Sequence, residues 1–230
     1  MLKPALAIMS RTPSTEGKSR LGGVLSPAQR EALQWAFLKD TLDKARLLKE
    51  FKCYLAITPP CQINCVAQAV GLSVEVIPQP DGDLGQRMLG VAQELFIGGH
   101  SPVILIGTDV PSLPPAFLLK ALALLEYGDL VFGPAFDGGY YLIGMRRFES
   151  RIFENIDWGT ASVLEETVNI CRKYGLAYSL LEPLADIDQP RDILDTMKIF
   201  ENNKVDFTPV PARTIQFFKS LKKTCKKISQ

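Results

Sequence analysis

An aspartate that directly follows a buried strand is the first candidate for chemistry in this chain. Residues 103–106 are four consecutive apolar residues, three of them β-branched, which is typical of a strand covered on both faces of a parallel sheet. Gly107 and Thr108 end this run and lead to Asp109. Ligands of open α/β sheets bind beyond the carboxyl ends of the strands, so Asp109 is placed to hold a divalent metal or a ribose. Its alternative role is to cap a helix that begins after Val110.

A cationic loop follows the first predicted strand, which spans residues 5–9. Three cations lie in it among several hydroxyl side chains: Arg11, Lys18 and Arg20. Backbone N–H groups and cations of such a loop can surround a polyphosphate together. The Gly-Lys-Ser sequence at residues 17–19 resembles the end of a Walker A motif, but Thr12 stands where that motif requires a glycine, which argues against a P-loop. The alternative is a solvated basic loop without a ligand.

A glycine-rich segment at residues 133–144 interrupts the alternation of strands and helices. It places Asp137, Gly138 and Gly139 between two apolar stretches, the second of which begins at Tyr140. The second stretch follows too closely for a crossover helix, so it is predicted to be an antiparallel or rim strand. The loop itself indicates either a pocket for a sugar or another polar ligand, or simply a glycine-rich hairpin.

A second pair of carboxylates lies near the end of the predicted domain. Asp186 and Asp188 occupy alternate positions, so both carboxylates can reach one cation if this segment is extended. Asp188 has an alternative role as the cap of a helix whose first turn holds Pro190.

The bulk properties exclude several classes of protein. A length of 230 residues predicts one α/β domain with a C-terminal appendage, and a net charge of +1 predicts no nucleic-acid partner. The single histidine rules out a histidine-rich zinc site. Five cysteines, an odd number, indicate reduced thiols. With no secretory segment and no apolar run long enough to span a bilayer, we expect a cytoplasmic protein without integral membrane association.

The candidate residues are positioned by alternating strands and helices. Hydrophobic periodicity predicts a doubly wound, mostly parallel sheet with one antiparallel strand, in a single domain over residues 1–204. Helix starts are indicated by capping boxes at Ser26 and Asp83, and the last strand is predicted over residues 176–181. Residues 205–230 form a basic extension that predicts an amphipathic helix docking on the domain, with membrane-surface binding as the alternative.

Four motifs in this order resemble the bacterial DUF2064 family: residues 18–21, 107–111, 133–144 and 186–192. Residues 83–88 and 158–160 fit the same pattern, and the resemblance spans about residues 5–192. The Asp-Gly-Gly-Tyr sequence is its most specific part, whereas Thr-Asp-Val-Pro is shared with cofactor guanylyltransferases of related fold. The family's first loop departs here by one residue, so Lys18 and Arg20 match it and Gly17 does not. The resemblance implies a GT-A fold and the activity of a nucleotide-diphospho-sugar transferase.

That implied activity assigns a role to each candidate. Asp109 would hold Mg²⁺ or Mn²⁺, completed by Asp186 or Asp188, and Asp137 would activate the acceptor. The phosphate-binding candidates are Arg11, Lys18, Arg20 and Arg87. The substrate-pocket candidates are Gly138, Gly139, Tyr140 and Trp158. The expected partners are a nucleotide sugar and an acceptor that the sequence does not identify, as it does not identify the oligomeric state.

Two other functions use the same residues. A nucleotidyltransferase would transfer NMP from an NTP to a small phosphorylated substrate, breaking a different bond with the same metal and loop. A non-catalytic nucleotide-binding protein is the more distant alternative. The sequence predicts the ligand groups but does not decide among these three functions.

Overall fold

The computed structural model describes residues 2–71, 74–201 and 210–228, with side chains described except at 201 and 222–228. The strands in these residues are β1 (Ala5–Arg11), β2 (Lys52–Thr58), β3 (Glu75–Pro78), β4 (Val103–Ile106), β5 (Leu130–Pro134), β6 (Tyr140–Met145) and β7 (Tyr178–Leu180). The α-helices are α1 (Pro27–Leu47), α2 (Ile63–Val70), α3 (Leu84–Ile97), α4 (Pro115–Leu124), α5 (Val163–Tyr174), α6 (Pro190–Glu201) and α7 (Ala212–Ile228). Within the described chain, no helix is both long and apolar enough to cross a bilayer.

All the strands form one sheet in the order β3-β2-β1-β4-β6-β5-β7. β6 is antiparallel to both of its neighbours, β4 and β5, and every other pairing is parallel. The predicted fold class, a mostly parallel α/β sheet with one antiparallel strand in a single domain, is therefore confirmed. β6 is antiparallel because only five residues separate it from β5, which is too few for a crossover connection.

β4 shows why its apolar run does not alternate. Ile104 and Ile106 point to one face of the sheet, where α1, α2 and α4 pack, while Val103 and Leu105 point to the other face, towards α3 and α5. All four side chains are at most 2 % exposed. A strand whose two faces both carry a core needs apolar residues at every position.

The helix starts follow the capping signals. Ser26 and Gln29 form a capping box at α1, with Pro27 in its first turn. Asp83 and Gln86 form a second box at α3. Each box satisfies two backbone N–H groups that have no partner within the helix.

The structure corrects three predictions at the ends of elements. β1 extends to Arg11, two residues beyond its predicted end, so Arg11 belongs to the strand and not to the loop that follows it. The last strand spans only Tyr178–Leu180, since Gly175 adopts a left-handed conformation and the Leu176 N–H donates to the Cys171 carbonyl, which keeps residue 176 in the helix cap. Asp188 does not cap α6. The Asp192 carboxylate instead accepts from the N–H groups of Asp188 and Gln189.

The C-terminal helix packs against the domain. α7 lies against α1 and α6, and Thr214 and Phe218 on it are buried. Phe218 joins a cluster with Leu33 and Phe37 of α1. The predicted domain boundary at residue 204 lies outside the described residues, so residues 205–230 as a separate extension remain a prediction.

Candidate active site

The candidate residues converge at one edge of the sheet. The parallel strands β1, β4, β5 and β7 end at this edge, and β6 begins there because it runs in the opposite direction. The loops after β1, β4, β5 and β7 therefore lie side by side. They carry Lys18 and Arg20, Asp109, Asp137, and Asp186 with Asp188, respectively.

Lys18 lies at the centre of this arrangement. Its Nζ is 3.0 Å from Asp109 Oδ2 and 3.1 Å from Asp188 Oδ1, and it donates to the Ile187 carbonyl at 2.7 Å. The side chain is only 8 % exposed. Burial on its own would lower the pKa of Lys18, but the two carboxylates outweigh it and raise the pKa. Lys18 is therefore a buried, charged group that joins the loops after β1, β4 and β7.

Arg20 is the exposed partner of the same carboxylate. Its guanidinium lies 2.6 Å from Asp188 Oδ2, and 69 % of its side chain is exposed. Burial of Asp188 favours its neutral form, but Lys18 and Arg20 outweigh this effect and lower the pKa of Asp188. Asp188 thus stays anionic between two cations.

The loop that carries Lys18 is fixed by two residues that the sequence did not indicate. Arg30 of α1 donates to the carbonyls of Gly17 at 3.1 Å and Thr15 at 2.7 Å. Gln34, one turn later, donates to the Ser14 carbonyl at 2.8 Å. The only available signal was the spacing of two polar residues four apart on the helix that follows the loop.

Asp109 does not cap a helix. α4 begins six residues later, at Pro115, and has Pro114 as its N-cap. The Asp109 side chain is 49 % exposed and pairs with Lys18, while its backbone carbonyl accepts from the Ile187 N–H at 2.9 Å. The alternative of a capping role is therefore wrong, and the carboxylate is left partly open to a ligand.

Asp186 is a carboxylate of this cluster whose charged form is disfavoured by its surroundings. Burial and then the charge of Asp137 raise its pKa to about 6, against a smaller opposing effect of Lys18. At neutral pH Asp186 is charged and is repelled by the negative charge of Asp137. A cation bound nearby would relieve that repulsion.

Because the charged form of Asp186 is disfavoured, we expect Asp186→Asn to stabilise the metal-free protein at pH 7.5. The folded-state pKa lies above that of the unfolded chain, so the penalty of the charged form is absent below about pH 4 and complete above about pH 6. After allowance for solvent screening of a partly exposed group, we expect a gain of about 1–2 kcal/mol. Urea denaturation at pH 4.5 and 7.5 measures it. An equal gain at both pH values, or the same gain from the exposed Asp81→Asn, would contradict this prediction.

A divalent metal is implied by the family, and the donors here fit it in part. Across residues 2–71, 74–201 and 210–228, no three Asp, Glu, His or Cys side chains are grouped so that they could hold a metal by themselves. Mg²⁺ is usually bound by only one or two carboxylates together with substrate phosphates. Suitable hard oxygen donors are the carboxylates of Asp109 and Asp186. The first is about half exposed, and the second is repelled by the charge of Asp137.

The glycine-rich loop forms a tight turn whose shape depends on Gly138. Gly138 has a φ of 93°, and a Cβ on it would lie 2.0 Å from the Ala161 carbonyl oxygen. The Asp137 carboxylate accepts from the Gly139 N–H at 2.9 Å. Gly138 thus brings the loop against residues 159–162, and the hydrogen bond orients Asp137.

Tyr140 does not offer its hydroxyl to a ligand. The hydroxyl is buried, which raises its pKa, and the ring packs 5.5 Å from Phe132 and 6.3 Å from Trp158, measured between centroids. The structure therefore leaves only the ring of Tyr140 to line a pocket, and its place in the substrate pocket stays a prediction. Its alternating position on β6 places the hydroxyl in the core beneath the sheet.

Trp158 and the two remaining arginines lie on the α3 side of this edge. Trp158 stacks on Phe153 and approaches α3 so closely that a Cβ on Gly85 would be 2.1 Å from its Nε1. Burial and the charge of Arg11 lower the pKa of Arg87. Arg11 lies at the end of β1 and Arg87 on α3, and their phosphate-binding role remains a prediction.

The family model described as an uncharacterized protein conserved in bacteria, DUF2064, matches residues 41–160, slightly more than half of the chain. The chain belongs to the DUF2064 family. The family expected from the motifs is therefore confirmed. The matched residues of this DUF2064 protein include Asp109 and Asp137, whereas the motifs at residues 18–21 and 186–192 lie outside them.

Two relatives of this DUF2064 protein are guanylyltransferases. A 3-phospho-D-glycerate guanylyltransferase of Phenylobacterium zucineum (strain HLK1) is 28% identical over 200 residues, which cover 84% of this chain and 90% of that protein. A phosphoenolpyruvate guanylyltransferase of Mycobacterium leprae (strain Br4923) is 31% identical over 112 residues, which are 48% of this chain and 52% of that protein. The match therefore spans about half the length of this second relative.

A solved structure with the same fold carries a different description. It is that of a candidate nucleotide-diphospho-sugar transferase from Desulfovibrio desulfuricans G20, with a TM-score of 0.84 and 27% identity. The similarity covers 96% of this chain and 99% of that one. Two of these similar proteins are thus described as guanylyltransferases and one as a candidate nucleotide-diphospho-sugar transferase, so all three are described as transferases.

Proposed function

We propose that this protein is a metal-dependent nucleotidyltransferase that transfers GMP from GTP to a small phosphorylated carboxylic acid. The observation that carries this proposal is the similarity to 3-phospho-D-glycerate guanylyltransferase over 84% of this chain. The charged cluster at the carboxyl edge of the sheet supports it, because it combines cations for phosphates with carboxylates for a divalent metal. This proposal replaces sugar transfer, our main prediction from the sequence, with its stated alternative.

The reaction has a simple balance. A phosphate oxygen of the acceptor attacks the α-phosphorus of GTP, the bond from that phosphorus to the β-phosphate oxygen breaks, and pyrophosphate leaves. A phosphate monoester is mostly dianionic at pH 7, so the attacking oxygen has no proton to lose. Nucleotidyl transfer therefore needs no general base, which is the role that Asp137 would have in sugar transfer. Asp137 instead shapes its loop through the Gly139 N–H and adds negative charge beside Asp186.

The residues of the cluster bind and orient the two substrates. Lys18 and Arg20 would bind the triphosphate, with Arg11 and Arg87 as further cations at the same edge. Asp109 and Asp186 would hold Mg²⁺ or Mn²⁺, with Asp188 kept in place by Lys18. When bound, such a metal neutralises charge on the phosphates and on the departing pyrophosphate. Catalysis of this kind consists mostly of positioning and charge stabilisation.

Sugar transfer remains a second candidate because of one observation. The structure from Desulfovibrio desulfuricans G20 is described as a candidate nucleotide-diphospho-sugar transferase and matches nearly the whole chain. Both reactions use a metal and cations at the phosphates, so the two candidates differ in which nucleotide binds best and which bond breaks.

A ligand screen followed by a product assay separates the candidates. With Mn²⁺ present, we expect GTP to raise the melting temperature more than GDP-mannose or UDP-glucose does, because GTP is the substrate of the proposed reaction. A ligand at 100 times its Kd stabilises the folded protein by about 2.7 kcal/mol. For a domain of this size, that is a shift of about 5–10 °C. We also expect pyrophosphate release from GTP only when 3-phosphoglycerate or phosphoenolpyruvate is added.

The other outcomes are equally informative. A larger shift with a nucleotide sugar than with GTP, together with no pyrophosphate, would favour sugar transfer. Binding of GTP without turnover of any acceptor would favour the non-catalytic nucleotide-binding protein. Omission of Mn²⁺ is the matched control, because a metal-independent shift would contradict the metal-dependent site.

A further inference from the structure

Lys44 is a buried lysine that contacts the loop carrying Asp109. It lies on α1, is 5 % exposed, and its Nζ donates to the carbonyls of Pro111 and Leu113, the latter at 3.1 Å. Neither contact involves a carboxylate. Both accepting carbonyls belong to the connection between β4 and α4, two and four residues after Asp109.

This connection is unusual because it is buried. Residues 110–114 are all buried, whereas most loops lie on the surface, where water satisfies their backbone groups. A buried carbonyl without a donor costs free energy, so these carbonyls need a partner from the protein. Lys44 supplies donors to two of them from a single ammonium group.

Val110 and Leu113 of this connection pack in the same apolar cluster as Leu42 of α1. Apolar packing of this kind is not directional. The hydrogen bonds from Lys44 to the carbonyls of Pro111 and Leu113 are directional, so they specify which backbone atoms of the connection face α1.

Asp40 keeps Lys44 in its charged form. It lies one helical turn earlier on α1, is 3 % exposed, and accepts from the N–H and the hydroxyl of Thr214, each at 2.8 Å. Burial lowers the pKa of Lys44 to about 8, and the negative charge of Asp40 limits that fall. Lys44 is thus mostly protonated at pH 7 and able to donate.

We propose that Lys44 is a positioning residue, which holds the β4–α4 connection through two backbone carbonyls and so places Asp109 in the active site. This proposal rests on the role of Asp109 in the proposed function. Lys44 touches neither substrate nor the carboxylate of Asp109. It acts by fixing the backbone that leads away from that carboxylate.

The test is Lys44→Met, which keeps an unbranched side chain only one atom shorter and removes its donors. We expect kcat for guanylyl transfer to fall about 10–100-fold, because a small misplacement of a catalytic group costs that much. The KM for the acceptor should stay within about twofold, because the acceptor's own contacts are unchanged. In titrations of GTP, the Mn²⁺-dependent gain in affinity should fall while affinity without Mn²⁺ is retained.

Phe51→Leu is the matched control for lost stability. Phe51 is 4 % exposed in the same apolar core but lies at the opposite edge of the sheet, directly before β2. We expect it to lower the melting temperature without changing kcat. If Lys44→Met changes kcat no more than Phe51→Leu does at an equal loss of stability, Lys44 is only structural and the proposal is overturned.

Hydrogen exchange tests the same idea without any activity. In the wild-type protein, the Leu113 amide should exchange within about tenfold of the amides of β4, and far more slowly than that of the exposed Gly23. In Lys44→Met, or in Lys44→Gln if the first variant does not fold, exchange of Leu113 should accelerate at least tenfold, which Phe51→Leu should not cause. Fast exchange of Leu113 in the wild type would overturn the proposal, whereas a protein with slow exchange but no GTP turnover would overturn only the proposed function.

Discussion

Asp109→Asn is expected to lower kcat/KM for guanylyl transfer by about 10²–10³-fold, the range typical of removing one preorganised electrostatic group from a transition state. The variant should fold normally. Asp109 is 49 % exposed, and its partner Lys18 keeps its contacts to Asp188 and to the Ile187 carbonyl. The loss therefore arises from the anionic oxygen that a hard divalent cation requires. Pyrophosphate release and Mn²⁺-dependent GTP affinity measure the effect.

Asp109→Ala and Asp195→Asn are the comparisons for this variant. Because Pro114 and not Asp109 occupies the N-cap position of α4, the alanine variant should lose no helix cap and should melt within a few degrees of the wild type. Asp195 is an exposed aspartate on α6 whose partner is Lys198, so its replacement should leave binding and turnover unchanged. Normal Mn²⁺-dependent binding by Asp109→Asn would remove this residue from the mechanism.

Lys18→Ala should weaken nucleotide binding by about 10–150-fold, since it removes a charge-assisted hydrogen bond worth about 1.5–3 kcal/mol. It should also reduce the free energy of unfolding by about 1–2 kcal/mol. Asp109 and Asp188 lose a shared cation and the Ile187 carbonyl loses a donor, although both carboxylates are partly solvated.

Arg20→Ala separates these two effects. Arg20 is 69 % exposed and contacts only the rim of the cluster, so its loss should weaken nucleotide binding with little change in stability. Calorimetric titration with GTP and urea denaturation measure the two quantities for both variants. Unchanged affinity in both would return the loop after β1 to its alternative interpretation, a solvated basic surface.

Much of the fold was predictable because local signals and burial agree. The apolar run of β4, the capping boxes of α1 and α3, and the short spacing before β6 each have a direct physical meaning, and the structure confirms each of them. The start of β7 was not predictable in the same way. It depends on a helix cap at Gly175 that competes with the strand for residue 176.

The candidate site was only partly predictable, because sequence shows which groups are present but not which pair with one another. Asp109, Asp186 and Asp188 stay predictions as metal ligands, but the pairing of Asp109 and Asp188 with Lys18 could not be inferred from the sequence. Lys44 was missed because a lysine on a long helix is normally solvated. Its signal was weak, since Lys44 shares one face of the helix with Phe37, Thr41 and Leu48, of which only Phe37 and Leu48 are apolar.

The ion pairs of Lys18 affect how the cation and the nucleotide bind to the site. Without ligands, the protein carries its own counter-ions, since Lys18 pairs with both Asp109 and Asp188 and Arg20 pairs with Asp188. A triphosphate that attracts Lys18 releases Asp109 for a cation, and a cation that takes Asp109 releases Lys18 for the triphosphate. Each ligand thus removes the competitor of the other, and thermodynamic reciprocity requires both affinities to rise by the same factor. The empty site therefore favours loading of the cation and the nucleotide as a pair over either one alone.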